Sequence, residues 1–141
     1  MSKLLQRLSD ASKSGVYRAP QADAILEATQ GSTLQVSRIG LAGAAGKAAL
    51  LARVASAMEF PHWFGGNWDA LEDCLGDLSW RPGSGHVLVF RNWQALTGDD
   101  LGVLIDVLRS SAEFWQGRGK PFFAVLVDPQ ARLALPPLHR E

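Results

Sequence analysis

The sequence predicts an α/β domain: a small three-stranded parallel sheet with helices packed on it, plus an N-terminal extension. Three observations carry this. His86-Val87-Leu88-Val89-Phe90 and Phe122-Phe123-Ala124-Val125-Leu126-Val127 are almost unbroken apolar runs, the pattern of strands covered on both faces. Thr33 to Ile39 alternates apolar and polar residues, the period of a half-buried strand. Between these runs lie helical stripes, and strands that alternate with helices favour a parallel sheet.

Residues 1–33 read as the extension, partly helical. Leu4, Leu5 and Leu8 share a helical face, Gly15 and Pro20 interrupt the pattern, and Ala22 to Thr29 forms a short helix ending at Gly31. Residues 34–128 form the α/β domain. After the first strand, Gly40 to Gly46 is a Gly/Ala loop. From Lys47 to Met58 the residues Leu50, Leu51, Val54, Ala55 and Met58 mark one helical face, and Phe60-Pro61 stops it.

A second helix begins after Gly65-Gly66, with Asn67 as N-cap and Trp68 to about Leu78 as its body. Its Leu71, Cys74, Leu75 and Leu78 fall at i, i+3, i+4 and i+7 and face the core. Arg81 to Gly85 is a turn-rich linker into the second strand. Thr97-Gly98-Asp99-Asp100 supplies capping side chains for a third helix with Leu101, Leu104, Ile105 and Leu108 on one face. Gly117 to Pro121 breaks the chain before the last strand. Residues 129–141 read as an extended or disordered tail, with Leu133, Leu135 and Leu138 available for packing.

The 141 residues, 47% of them hydrophobic, suit one domain. Fourteen basic residues balance 14 acidic ones, which argues against nucleic acid as a partner, since phosphate neutralisation needs a basic excess. The balance is uneven along the chain. Residues 1–59 hold seven basic and four acidic side chains, residues 60–113 three and eight, and residues 114–141 four and two. The single Cys74 forms no internal disulfide, no Cys/His spacing resembles a zinc site, and no apolar run reaches the roughly 18 residues of a membrane span. With no secretory pattern at the start, the expectation is a cytoplasmic protein, monomeric when free, with no membrane partner and no cofactor or metal.

The stretch Phe60-Pro61-His62-Trp63-Phe64-Gly65-Gly66-Asn67-Trp68-Asp69-Ala70-Leu71-Glu72-Asp73-Cys74-Leu75 is the informative one. Asp69, Glu72 and Asp73 lie at i, i+3 and i+4, so a helix places them on one face, opposite Leu71 and Leu75. Like charges at that spacing repel, and Asp69 recovers part of the loss through the helix dipole. Charge runs are usually solvated faces. Here Trp63, Phe64 and Trp68 stand beside the acids, and aromatics next to charge are the composition of an interaction site, although Phe64 and Trp68 also suit the core.

These residues resemble the signature of the barstar family, small intracellular inhibitors of barnase-type ribonucleases. An aromatic loop with Gly and Asn leads into Asp69-Ala70-Leu71-Glu72-Asp73-Cys74-Leu75, and the later strand, helix and strand follow in family order over roughly residues 34–128. The resemblance implies a protein that occludes a ribonuclease active site, its carboxylates standing where substrate phosphates would lie. It implies Trp63 as a contacting aromatic, Gly65 and Asn67 in the contacting loop, Trp68 as an apolar contact, Asp69 and Asp73 as acidic anchors, and Glu72 and Gly76 beside them. The implied partner is a secreted basic ribonuclease or a related toxin. Two positions depart from the best-known member: Glu72 replaces a contacting Trp, and Ser110 replaces a contacting Glu on the third helix. They leave open a barstar-like interaction or immunity module for a different toxin, without ribonuclease inhibition.

An enzyme is disfavoured. His62, His86 and His139 are scattered, and Cys74 lies on the predicted core face. Asp69 and Asp73 as an acid/base pair would lack any oxyanion or metal motif nearby, and a single helical face offers poor geometry for Mg²⁺ or Ca²⁺.

Overall fold

A computed structural model describes residues 2–139. The elements in order are α1 (Lys3–Leu8), β1 (Gly15–Ala19), α2 (Asp23–Thr29), β2 (Gln35–Gly40), α3 (Lys47–Ala57), α4 (Trp68–Leu75), β3 (His86–Arg91), α5 (Asp100–Gly117) and β4 (Phe122–Val127). All strand pairs are parallel, in the order β1-β4-β3-β2.

The sheet therefore has four strands, which corrects the expected three. The additional strand, Gly15–Ala19, comes from the segment read as an N-terminal extension, and it pairs with β4 in the register Val16 to Ala124 and Arg18 to Leu126. Edge position hides it in the sequence. The outermost strand of the sheet, with Arg18 and Tyr17 half-buried, does not produce the apolar run of a central strand.

The two central strands show why their sequences are apolar throughout. Leu88 and Phe90 of β3, with Phe122, Ala124 and Leu126 of β4, enter one core cluster together with Leu50, Leu51 and Val54 of α3, Leu71 and Leu75 of α4, and Leu104 and Leu108 of α5. Their neighbours Val87, Val89, Phe123 and Val125 enter a second cluster with Leu8 of α1, Ala22, which precedes α2, and Ile25 of α2. Successive side chains on a strand point to opposite faces, so a sheet covered on both faces needs apolar residues at every position. Helices α3, α4 and α5 cover one face; α1 and α2 cover the other.

The C-terminal segment runs along the outer edge of β1. Arg18 N–H donates to Pro136 O at 2.9 Å, Leu138 N–H donates to Arg18 O at 2.8 Å, and Arg18 Nε donates to Leu135 O at 2.9 Å. Leu135 and Leu138 are buried. Asp128, itself buried, starts this course by accepting from the backbone N–H groups of Arg132 and Leu133 at 3.0 and 2.8 Å. A segment without internal periodicity thus satisfies an otherwise open sheet edge. Met1 and the last two residues of the predicted tail lie outside the described residues.

Candidate functional site

Helix α4 starts where its sequence says. Asn67 has extended backbone angles and its side-chain oxygen accepts from Ala70 N–H at 2.7 Å, the geometry of an N-cap. Gly66, at φ +70°, makes the turn into it, a conformation that favours glycine. Leu71, Cys74 and Leu75 are buried, and Asp69, Glu72 and Asp73 are exposed on the opposite side. Two ion pairs form among the described residues, Arg81 with Glu59 and Arg109 with Asp106, and neither involves α4. The three carboxylates therefore face solvent without an ion-pair partner among the described residues. Burial, followed by the charges of Asp73 and Asp77, pushes the Cys74 thiol up to about 11.

The loop before α4 is held by an aromatic stack. Trp63, 51% exposed, sets its ring edge-on to Trp80 at 6.1 Å; Trp80 meets Phe60 at 5.9 Å and Phe60 meets Phe64 at 5.0 Å. Trp80 Nε1 donates to Met58 O at 3.0 Å, tying the chain after α4 to the end of α3. Arg81 follows, buried, its Nη1 donating to Glu59 Oε1 at 2.7 Å and its Nη2 to Ser37 Oγ at 2.9 Å. With its amide turned to satisfy both neighbours, Gln35 accepts from Arg81 Nη2 at 2.8 Å and donates to Pro82 O at 3.1 Å. One guanidinium thus joins β2, the start of the aromatic loop and the chain after α4. The linker predicted at Arg81 to Gly85 contains this buried clamp.

A groove of about 470 Å³ lies between α4 and α5, lined by Glu72, Asp73, Gly76, Ser110, Ser111 and Phe114. Trp115 Nε1 donates to Leu75 O at 2.7 Å and fixes the end of α4 against α5. Beneath it lies His86, buried, with its ring 6.0 Å from that of Trp115 and 6.5 Å from that of Phe122. Burial, then the charges of Lys120 and Arg81, lower the His86 pKa to about 4, so its ring is neutral at neutral pH.

The sequence-derived residues separate into three groups. Glu72, Asp73 and Gly76 meet in the groove, and Asp69 lies one turn earlier on the same exposed face. Trp63 and Gly65 are exposed in the preceding loop, outside the groove lining. Asn67 acts as the helix cap, and Trp68 is half-buried against the core. Sequence reasoning missed Phe114, 40% exposed, with the Arg118 guanidinium 4.4 Å from its ring centroid. Its signal was position: it falls off the stripe of Leu104, Leu108, Ser111 and Ala112 that α5 buries.

Among the described residues no group of three or more His, Cys, Asp or Glu side chains is placed to hold a metal ion, and no helix is long and apolar enough to cross a membrane.

Comparison with known proteins bears on this arrangement. A search of curated proteins found no match. Among solved structures, one described as the structure of the Aeropyrum pernix ORC2 protein in ADPNP-ADP complexes superposes with a TM-score of 0.54 at 16% identity, over 89% of this chain and 38% of that one. This chain therefore spans well under half of that protein, and the likeness is one of fold alone. The family model described as Barstar (barnase inhibitor) matches residues 34–127, from the start of β2 through the end of β4, a span that contains the aromatic loop, α4 and the groove. With most of its length matched, the chain belongs to the barstar family.

Proposed function

We propose that this protein is an intracellular, non-enzymatic inhibitor of a basic, guanyl-type ribonuclease, which it blocks by seating α4 and the preceding loop in the active site. The observation that carries this reading is the exposed face of Asp69, Glu72 and Asp73, which no cation of the described chain neutralises. Unpaired carboxylates on a capped, core-anchored helix suit a cleft of Arg and Lys side chains, because carboxylate and guanidinium form charge-assisted, often bidentate hydrogen bonds. Asp73 is the principal anchor, Asp69 and Glu72 add charge, and Trp63, Gly65, Asn67, Trp68 and Gly76 form the surrounding contact surface. Family membership supports a protein partner of this kind.

A second reading is favoured by specific residues. Glu72, Ser110 and Phe114 give the groove one acidic wall and one hydroxyl and aromatic wall. That composition suits a related toxin whose surface differs from a ribonuclease cleft.

Titration of a purified barnase-type ribonuclease with this protein tests the first reading, and activity falls to zero at one equivalent. Asp73→Ala weakens binding by about 3 kcal/mol because a buried cation of the partner loses its counter-charge. Asp106→Ala, on α5 and paired with Arg109, leaves binding unchanged. Full ribonuclease activity in the presence of excess protein would reject the reading, and capture of a different toxin from the source secretome would favour the second.

A further inference from the structure

We infer that Phe114 on α5 is a second aromatic anchor of the interface and that it meets an apolar side chain of the partner, not a cation. The inference rests on the proposed role of α4. Trp63 and Phe114 are the two large apolar side chains left exposed among the described residues, at 51% and 40%. Phe114 belongs to neither core cluster, so burial in the core does not explain it. It lines the groove together with Glu72 and Asp73, and Trp63 lies in the loop that leads into the same helix. The contact surface then includes Phe114 on α5, the helix that also carries Ser110, beside the loop and α4.

The ring is held before any partner arrives. Trp115 meets it edge-on at 5.3 Å, and the Arg118 guanidinium sits 4.4 Å from its centroid. Gly76 leaves its edge open: a Cβ there would come 3.9 Å from Phe114 Cε2 and 3.4 Å from Glu72 O. A rigid aromatic contributes contact area with little entropy left to lose on binding.

Charge decides what faces it. Both carboxylates in the groove come from α4, whereas α5 contributes Ser110, Ser111 and Phe114. Arg118 already occupies the ring, and Lys120 lies over Trp115 at 5.3 Å. A partner cation at Phe114 would meet the Arg118 guanidinium on the ring. An apolar side chain on Phe114, with the partner's cations drawn to Glu72 and Asp73, is the complementary arrangement.

The test measures inhibition and dissociation of a barnase-type ribonuclease, used as the probe, for wild type, Phe114→Ala, Phe114→Leu, Phe114→Glu and Asp73→Ala. Thermal unfolding of each variant confirms the fold. Phe114→Ala raises Kd about tenfold, mainly through faster dissociation and equally at low and high salt; Phe114→Leu retains most of the affinity, and Phe114→Glu loses at least as much as Phe114→Ala. Wild-type affinity for Phe114→Ala, or tighter binding by Phe114→Glu, overturns the inference; the second result would place a cation against the ring. If Phe114→Ala is silent while Asp73→Ala loses binding, the anchor falls and the reading of α4 stands. If wild type does not inhibit, both fall together.

Discussion

The indole N–H of Trp115 on α5 donates to the carbonyl oxygen of Leu75, the last residue of α4, at 2.7 Å. The final carbonyls of a helix have no partner within it, so this bond satisfies a group that would otherwise lie buried and unpaired. It also sets the spacing of the groove, because Gly76 lies one residue beyond Leu75 and Phe114 one residue before Trp115.

Trp115→Phe keeps the aromatic packing and removes the donor. Loss of the bond costs about 1 to 2 kcal/mol of stability, the range for leaving a buried acceptor unsatisfied. Urea unfolding measures it as a lower midpoint with an unchanged slope. A change below the error of that measurement would mean that the bond does not hold α4 in place.

Arg81 and Glu59 should contribute unequally although they share one ion pair. Arg81 is buried and also donates to Ser37, whereas the Glu59 side chain is 76% exposed. Arg81→Ala loses packing and the hydrogen bonds to Glu59, Ser37 and Gln35 and costs about 2 kcal/mol. Glu59→Ala removes a solvent-screened partner and costs under about 1 kcal/mol. A double-mutant cycle measures the coupling. Equal losses from the two single variants would show that the pair, and not the rest of the Arg81 network, carries the stabilisation.

What was legible in the sequence follows the range of the interactions. His86 to Phe90 and Phe122 to Val127 were readable as strands because burial on both faces is written into consecutive residues. The acidic face of α4 was readable because helical spacing alone places Asp69, Glu72 and Asp73 together. Strand β1 was not, since its edges are satisfied by β4 and by Pro136 and Leu138, more than a hundred residues away. Arg81, set among Pro and Gly in a turn, resembles a solvated residue until Ser37 and Glu59, 44 and 22 positions back, are brought to it. The groove was hidden for the same reason: Phe114 reaches Gly76 only through the docking of α5 on α4.

Cys74 is buried with its thiol raised to about 11, first by burial and then by the charges of Asp73 and Asp77. The thiolate is the reactive form, so at pH 8 a maleimide labels the native protein far more slowly than the urea-unfolded protein. Rapid native labelling would mean that α4 turns a different face to the core. Cys74→Ser buries a hydroxyl in an apolar site and costs about 1 to 3 kcal/mol, measurable by the same urea titration.

His86 makes stability depend on acidity. It is buried at the start of β3, neither ring nitrogen has a hydrogen-bond partner among the described residues, and its pKa is lowered from 6.5 to about 4 by burial and by the nearby Lys120 and Arg81 charges. Between these two values the unfolded chain binds a proton that the folded chain does not. Stability is therefore fully present above pH 6.5 and declines as pH falls toward 4. The loss from this group between pH 8 and pH 5 is about 2 kcal/mol. His86→Leu removes the titrating ring and its two unpaired nitrogens from an apolar site beside Trp115 and Phe122. The variant should be at least as stable as wild type at pH 7 and should lose clearly less stability on acidification to pH 5. Urea midpoints for both proteins at the two pH values measure the difference, and parallel declines would show that other groups carry the acid sensitivity.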